Sequence, residues 1–178
     1  MHKRLIFFDG DGTLWYPKLT KRTRKPHWIY HDSSTKNDYL QHLELTPGTE
    51  DTLRQLHGRG LQLVVISASP HPEAQALADL KQRLDYFGLT ELLHTYLASD
   101  GSLPGDKGRL MRGVIDELGC TPADALMVGD SYRYDYQPAQ SNGITALFIE
   151  NSVAELPETK PADFGAIKEV SDLLTLLD

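Results

Sequence analysis

Short apolar runs alternate with segments of helical periodicity along this chain. Four runs of strand-forming residues predict buried parallel strands at 4–8, 61–66, 125–128 and 144–149. A shorter strand near 96–98 is expected to fill one further position in the sheet. Apolar residues recur at helical spacing over about 47–58, 72–87, 107–118 and 166–177. This alternation predicts an α/β fold with a doubly wound parallel sheet, a three-layer α/β/α core of the Rossmann-like kind.

The length and composition of the chain are those of one globular domain spanning 1–178. Of its 178 residues, 40% are hydrophobic and 24% are charged, and domains usually hold about 100–150 residues. No apolar run approaches the roughly 20 residues that cross a membrane, so no membrane partner is expected. The apolar start of the chain is too short for a signal peptide, and the lone Cys120 excludes an intrachain disulfide. We therefore expect a cytoplasmic protein.

The segment 15–45, which we call the flap, is the one long stretch without clear periodicity. A loop of this length is uncommon in a domain unless it is functional or disordered. It follows the first strand directly, and open α/β sheets bind their ligands at the carboxyl ends of the strands. We therefore expect the flap to begin beside the site.

Charge is distributed unevenly between the flap and the rest of the chain. The formal net charge is −7, yet residues 14–31 carry no acid and five basic residues, namely Lys18, Lys21, Arg22, Arg24 and Lys25. With Trp28 and Tyr30 as stacking surfaces, this stretch could bind nucleic acid, although the acidic total argues against that partner. The alternative is a solvated hairpin whose charges serve solubility alone. His27 and His31 flank the two aromatic residues and share their expected place near the site.

Carboxylates follow the predicted strands at their carboxyl ends. Asp9 and Asp11 follow the first strand, Asp130 follows the fourth, and Asp135 comes five residues later. Parallel topology gathers these side chains at one edge of the sheet, where their mutual repulsion calls for a cation. Hard oxygen ligands without histidine or cysteine indicate Mg²⁺.

The two aspartates after the first strand suit displacement at phosphorus. Gly10 and Gly12 let the chain leave strand geometry, so that both carboxylates can face one pocket. One carboxylate could act as nucleophile and the other as acid and base, while Mg²⁺ neutralises the phosphoryl charge.

Two further residues would complete such a site. Ser67 directly follows the apolar run of the second strand and is preferred over Ser69 as a donor to the phosphoryl oxygens. Lys107 begins a helix whose positive end would face the same pocket, so it could supply a fixed cation.

Taken together, these motifs resemble those of the haloacid dehalogenase superfamily of phosphohydrolases. The family's first motif, DxDxT after a strand, reads here from Asp9 to Thr13, and its second ends the strand at Ser67. Its third is Lys107, and its fourth, GDSxxxD, occupies 129–135. All four motifs occur in order, and the resemblance covers nearly the whole chain.

The resemblance implies a role for each carboxylate. Asp9 would attack phosphorus, form an aspartyl-phosphate and bind Mg²⁺. Asp11 would protonate the leaving alcohol, activate the hydrolytic water and bind Mg²⁺ through its backbone carbonyl. Asp130 would be a further Mg²⁺ ligand, and Asp135 would either support the metal or simply cap the following helix.

The resemblance also implies how the substrate is held. Ser67 and the backbone amide of Ala68 would bind the phosphoryl oxygens, and Lys107 would link the phosphate to Asp9. No segment is long enough for a large cap domain, so the chain is expected to be capless. Residues 11–17 and 103–107 are most similar to the magnesium-dependent phosphatase-1-like group.

The expected function is a Mg²⁺-dependent phosphomonoester hydrolase that works through an aspartyl-phosphate, as a monomer or a homodimer. Its substrate is unidentified, and a phosphoprotein side chain and a phosphosugar are both open. A nucleic-acid 3′-phosphatase is one alternative, and a catalytically silent phospho-ligand binding protein is another. The presence of both Asp9 and Asp11 argues against the silent protein.

Overall fold

A six-stranded parallel sheet organises the chain. The computed structural model describes residues 2–103 and 105–177, so Pro104, within the 103–107 motif, lies outside the described residues. The strands are β1 (Leu5–Phe8), β2 (Trp15–Pro17), β3 (Leu43–Leu45), β4 (Gln62–Ser69), β5 (Thr95–Asp100), β6 (Ala125–Gly129), β7 (Thr145–Ile149) and β8 (Gly165–Ile167). The main sheet has the order β5-β4-β1-β6-β7-β8, with β1 at its centre.

Helices cover both faces of this sheet. They are α1 (Thr49–Gly58), α2 (Glu73–Tyr86), α3 (Asp106–Glu117), α4 (Gln137–Ser141) and α5 (Leu173–Leu176). Successive side chains of a strand point to opposite faces. In β1, Ile6 and Phe8 pack with apolar residues of α1, α2 and α5, whereas Leu5 and Phe7 pack with those of α3 and α4. The predicted three-layer, doubly wound fold is thereby confirmed.

The end of the chain differs from the prediction. The pattern predicted a helix over 166–177, but Gly165–Ile167 form the edge strand β8, and helical turns occur only over 170–176. Ile167 pairs with Ile149 of β7, and its carbonyl accepts a hydrogen bond from the Glu150 N–H. The apolar positions of this short segment are compatible with one helix and equally with a strand followed by a helical turn. Within 2–103 and 105–177, no helix has the length and apolar character that crossing a bilayer requires.

The flap packs on the core on the side of α1 and α2. Its two ends pair as the antiparallel strands β2 and β3, and the residues between form short 3₁₀ turns at Pro26–Tyr30 and Tyr39–His42. Trp15, Ile29 and Leu43 of the flap are fully buried in the hydrophobic core. Apolar burial therefore holds the flap against the core, whereas most of its basic side chains remain exposed. No large cap domain occurs in the described part of the chain.

Candidate active site

The carboxyl ends of β1, β4 and β6 open into a cavity of about 680 Å³. All the residues predicted for the site line this cavity, namely Asp9, Asp11, Ser67, Ala68, Lys107, Asp130 and Asp135. The central position of β1 explains the convergence, since β4 and β6 pair with it on either side in parallel register. The flap closes one side of the cavity and contributes His27, Tyr30 and His31 to its wall.

A buried lysine joins two of the aspartates. Lys107, in the first turn of α3, donates hydrogen bonds to Oδ1 of Asp9 and to Oδ1 of Asp135, the latter at 2.6 Å. Its side chain is 2% exposed. Burial lowers the pKa of Lys107, but Asp135 and Asp9 outweigh that effect and raise it above the usual value, so the lysine stays charged.

The carboxylate of Asp9 lies in a setting that disfavours its charge. Burial and then the neighbouring Asp135 raise the pKa of Asp9 to about 7, against the opposing pull of Lys107. Burial, Asp9 and Asp135 likewise raise the pKa of Asp130 well above its usual range. Asp9, Asp130 and Asp135 together therefore hold more negative charge than Lys107 balances.

Three of the carboxylates are placed to share a cation. Asp9, Asp130 and Asp135 each offer an oxygen, and these oxygens lie within 4.8 Å of one another. No residue in the described ranges donates a hydrogen bond to the carboxylate of Asp130. A partly exposed carboxylate beside two buried ones, in a group that contains no histidine or cysteine, fits a hard cation such as Mg²⁺.

Two glycines allow the carboxylates of Asp130 and Asp135 to lie directly against the backbone. A Cβ at Gly12, whose φ is +84°, would lie 2.0 Å from Oδ2 of Asp130. A Cβ at Gly129 would lie 2.3 Å from Oδ2 of Asp135. Both distances are too short for any side chain, so the DxDGT and GDS sequences need glycine at these points.

Asp135 anchors Lys107 and does not cap the helix that follows. It lies in a single π-helical turn, Tyr132–Tyr136, and its Oδ2 accepts a hydrogen bond from the Ser131 N–H at 2.9 Å. The first turn of α4 receives no side-chain cap. Asp135 therefore holds Lys107 in addition to accepting a hydrogen bond at the N-terminus of its own helical turn.

The two serines of β4 have different surroundings. Ser67 is buried, faces the cavity and has its hydroxyl near Gly10 of the β1 loop. Ser69 also lines the cavity, but its Oγ accepts a hydrogen bond from the His71 N–H at 3.1 Å and so stabilises the turn into α2. This difference supports the choice of Ser67 as the phosphate donor.

Asp11 points away from the carboxylate cluster toward the flap and α2. Its Oδ1 accepts hydrogen bonds from Trp15 Nε1 at 3.0 Å and from the Tyr30 hydroxyl at 2.6 Å. Its Oδ2 accepts one from Arg83 at 3.1 Å. If Asp11 also ligates a metal, its backbone carbonyl is therefore the available group.

Arg83 contacts a predicted site residue, Asp11, and the sequence reasoning missed it. A signal for it existed, because Arg83 lies on the apolar face of α2 between Leu80 and Leu84, where a charge needs a partner. Tyr30 was expected to stack against a ligand, whereas its hydroxyl binds Asp11.

The basic residues of the flap divide into two groups. Lys25 lines the cavity and pairs with Glu155 at 2.6 Å across its rim. Arg22 instead holds the flap down, since it donates to the Gly12 carbonyl at 3.0 Å and pairs with Glu169 at 2.9 Å. The ring of Trp28 is covered by Arg24 at 4.9 Å and does not belong to the cavity wall.

A comparison with protein families agrees with the motifs. Residues 18–143 match the family model of haloacid dehalogenase-like hydrolases. This range contains Ser67, Lys107, Asp130 and Asp135, while Asp9 and Asp11 lie just before it.

A curated relative supports the same grouping. The chain is 31% identical over 125 residues to the mouse (Mus musculus) haloacid dehalogenase-like hydrolase domain-containing protein 3. This alignment covers 70% of the present chain and 45% of the mouse protein, so the chain spans about half the length of this relative.

Solved structures show the same fold at low sequence identity. A predicted phosphoglycolate phosphatase from Haemophilus somnus superposes with a TM-score of 0.72 at 20% identity, covering 100% of this chain and 99% of that one. A HAD phosphatase from Thermococcus onnurineus superposes with a TM-score of 0.66 at 21% identity, covering 99% and 98% of the two chains.

Proposed function

This chain belongs to the haloacid dehalogenase-like hydrolase family, and we propose that it is a Mg²⁺-dependent phosphomonoester hydrolase that works through an aspartyl-phosphate intermediate. The observation that carries the proposal is the position of Asp9. It lies at the end of the central strand, faces the cavity, and contacts Lys107 within a cluster of three carboxylates. Two structural neighbours that are named as phosphatases support the same reaction class.

Different residues of the cavity would bind the metal and the phosphoryl group. Asp9 and Asp130, with the Asp11 backbone carbonyl, would hold Mg²⁺, and Asp135 keeps Lys107 in place beside them. When bound, Mg²⁺ neutralises charge on the phosphoryl oxygens and so permits attack by an anion. Ser67, the Ala68 amide and Lys107 would bind the remaining phosphoryl oxygens, and all three line the cavity.

The reaction would proceed in two displacements at phosphorus. In the first, an Asp9 oxygen forms a bond to phosphorus while the bond to the ester oxygen breaks, and Asp11 gives its proton to the departing alcohol. In the second, a water oxygen attacks the same phosphorus, Asp11 takes the water proton, and the Asp9–phosphate bond breaks. Phosphate is released, and both aspartates return to their starting forms.

The substrate class follows from the open cavity. Because no large cap covers it within the described residues, both a phosphoprotein side chain and a phosphosugar are suitable substrates. The nucleic-acid alternative loses its main support, since Trp28 is covered by Arg24 and Arg22 is paired with Glu169.

The proposed function is tested with p-nitrophenyl phosphate and Mg²⁺. The wild-type chain is expected to release p-nitrophenol, chelation with EDTA to stop it, and Asp9→Asn to remove turnover without loss of the folded state. Asp116→Asn, an exposed carboxylate on α3, serves as the matched control. In acid-quenched samples, intact-mass spectra should show one added phosphoryl group on the wild-type chain and none on Asp9→Asn.

Two results would contradict this mechanism. Wild-type-like hydrolysis by Asp9→Asn would exclude Asp9 as nucleophile. Binding of inorganic phosphate with no hydrolysis of any phosphomonoester would favour the silent binding protein.

A further inference from the structure

The carboxylate of Asp11 is held by three donors from three separate parts of the chain. Trp15 comes from β2, Tyr30 from the 3₁₀ turn of the flap, and Arg83 from α2. The carboxylate is therefore the point at which the flap and α2 meet the loop that follows β1. Asp11 itself is 5% exposed, so water cannot replace these donors freely.

The two donors outside the β1–β2 segment are themselves rigidly placed. Arg83 is largely buried, its Nε donates to the Asp79 carbonyl at 3.0 Å, and its guanidinium stacks over the Tyr30 ring at 4.9 Å. Arg83 also donates to the Tyr30 hydroxyl at 3.2 Å. Burial and the nearby Asp11 raise the pKa of Tyr30 well above its usual value, so its hydroxyl keeps the proton that it donates.

The two carboxylate oxygens of Asp11 differ in the number of hydrogen bonds that they accept. Each carboxylate oxygen has two acceptor sites. Oδ1 uses both for Trp15 and Tyr30, whereas Arg83 is the one residue in 2–103 and 105–177 that donates to Oδ2, so one acceptor site of Oδ2 is left for a proton. A proton exchanged with a substrate must therefore be carried on Oδ2.

We propose that Tyr30 and Arg83 are positioning residues for Asp11: they fix its carboxylate so that Oδ2 exchanges the proton with the leaving oxygen and with water. This inference rests on the proposed function and deepens it. As the proton passes from Oδ2 to the leaving oxygen, negative charge develops on Asp11, and the Arg83 guanidinium lies beside it to stabilise that charge. The flap then takes part in catalysis through Tyr30 as well as in shaping the cavity.

The choice of leaving group tests this role directly. Nitrophenolate spreads its charge over the ring and leaves with little help from an acid, whereas an alkoxide needs the proton. Tyr30→Phe and Arg83→Lys should therefore lower kcat/KM on glycerol phosphate by about 10²-fold, the lower range of a general-acid contribution, because kcat/KM covers the step in which the alcohol leaves. On p-nitrophenyl phosphate the loss of kcat/KM should stay below about tenfold. KM should not rise by more than about threefold on either substrate.

Controls separate positioning from folding. Tyr86→Phe, on the exposed side of α2 and outside the cavity wall, should leave both activities unchanged. Arg83→Lys keeps the charge and should retain more activity than Arg83→Met, and thermal unfolding of each variant shows whether it is folded. Adding Tyr30→Phe to Asp11→Asn should cost nothing further, because residues that act through one group are not additive.

The outcomes distinguish this inference from the proposed function. A wild-type chain inactive on both substrates would overturn both. An active wild-type chain whose Tyr30→Phe and Arg83→Lys variants lose equal kcat/KM on the two substrates would overturn the positioning role alone, because kcat/KM reports the step in which the alcohol leaves. A rise in KM with unchanged kcat would also overturn it, since it would make the two side chains substrate-binding groups.

Discussion

Lys107 Nζ lies 2.6 Å from Oδ1 of Asp135, and the two side chains are 2% and 1% exposed. The Asp135 carboxylate is in turn fixed by the Ser131 N–H. A buried ammonium group is stable only while its countercharges remain in place, so this pair sets the position of the lysine that contacts Asp9.

Removing the carboxylate of Asp135 should cost stability as well as activity. Asp135→Ala leaves Lys107 with Asp9 alone and leaves the Ser131 N–H without its acceptor. We expect the free energy of unfolding to fall by about 3 kcal/mol, as measured by urea denaturation. Asp116→Ala on the exposed face of α3 should stay within about 0.5 kcal/mol of wild type. Equal stability of the two variants would contradict a structural role for the Lys107–Asp135 pair.

The sheet and the carboxylate cluster could be predicted from the sequence because both depend on short-range patterns. Each central strand is an apolar run buried on both faces, and Asp9 and Asp130 directly follow the runs of β1 and β6. β1 and β6 are direct neighbours with Phe8 opposite Val128, so Asp9 and Asp130 meet at the same edge. The order of the motifs along parallel strands was therefore enough to place them together.

The contacts of Asp11 and the last strand could not be predicted in the same way. Arg83 is 72 residues from Asp11 along the chain, and their contact depends on how α2 packs against the flap. The strand β8 has three residues, too few to distinguish strand from helical periodicity. Both features are decided by tertiary packing, which a single sequence does not display.

Gly12 should tolerate no side chain. Gly12→Ala would force a residue with a Cβ into φ +84° and place that Cβ 2.0 Å from Oδ2 of Asp130. We expect a loss of about 1–3 kcal/mol in stability from the strained backbone. Activity should fall further than this instability explains, because Asp130 is displaced. Gly58→Ala is the control, since a Cβ there meets nothing within 4 Å and α1 should gain up to about 1 kcal/mol. A fully active Gly12→Ala enzyme would contradict the placement of Asp130 in the site.

Arg22 and Lys25 should differ although both are basic residues of the flap. Arg22→Ala loses the bonds to the Gly12 carbonyl and to Glu169, so the unfolding free energy should fall by about 2 kcal/mol. Lys25→Ala removes an exposed ion pair and should change stability by less than about 0.5 kcal/mol. Because Lys25 lines the cavity, its loss should instead raise KM for an anionic substrate and weaken the dependence of KM on salt. Unchanged KM in Lys25→Ala would show that Lys25 does not attract substrate.

Asp130→Asn gives the most direct test of the metal site, because it should alter stability in opposite directions with and without Mg²⁺. In EDTA the variant should be more stable than wild type, since one of three clustered carboxylates loses its charge while Lys107 still balances the others. In Mg²⁺ at about 100 times its Kd, wild type should gain about 2.7 kcal/mol, whereas the variant should gain far less. Thermal unfolding of wild type and Asp130→Asn, each in EDTA and in Mg²⁺, measures this reversal of relative stability. Asp116→Asn is the control and should behave like wild type in both conditions. If Mg²⁺ stabilised Asp130→Asn as strongly as wild type, Asp130 would not be a ligand.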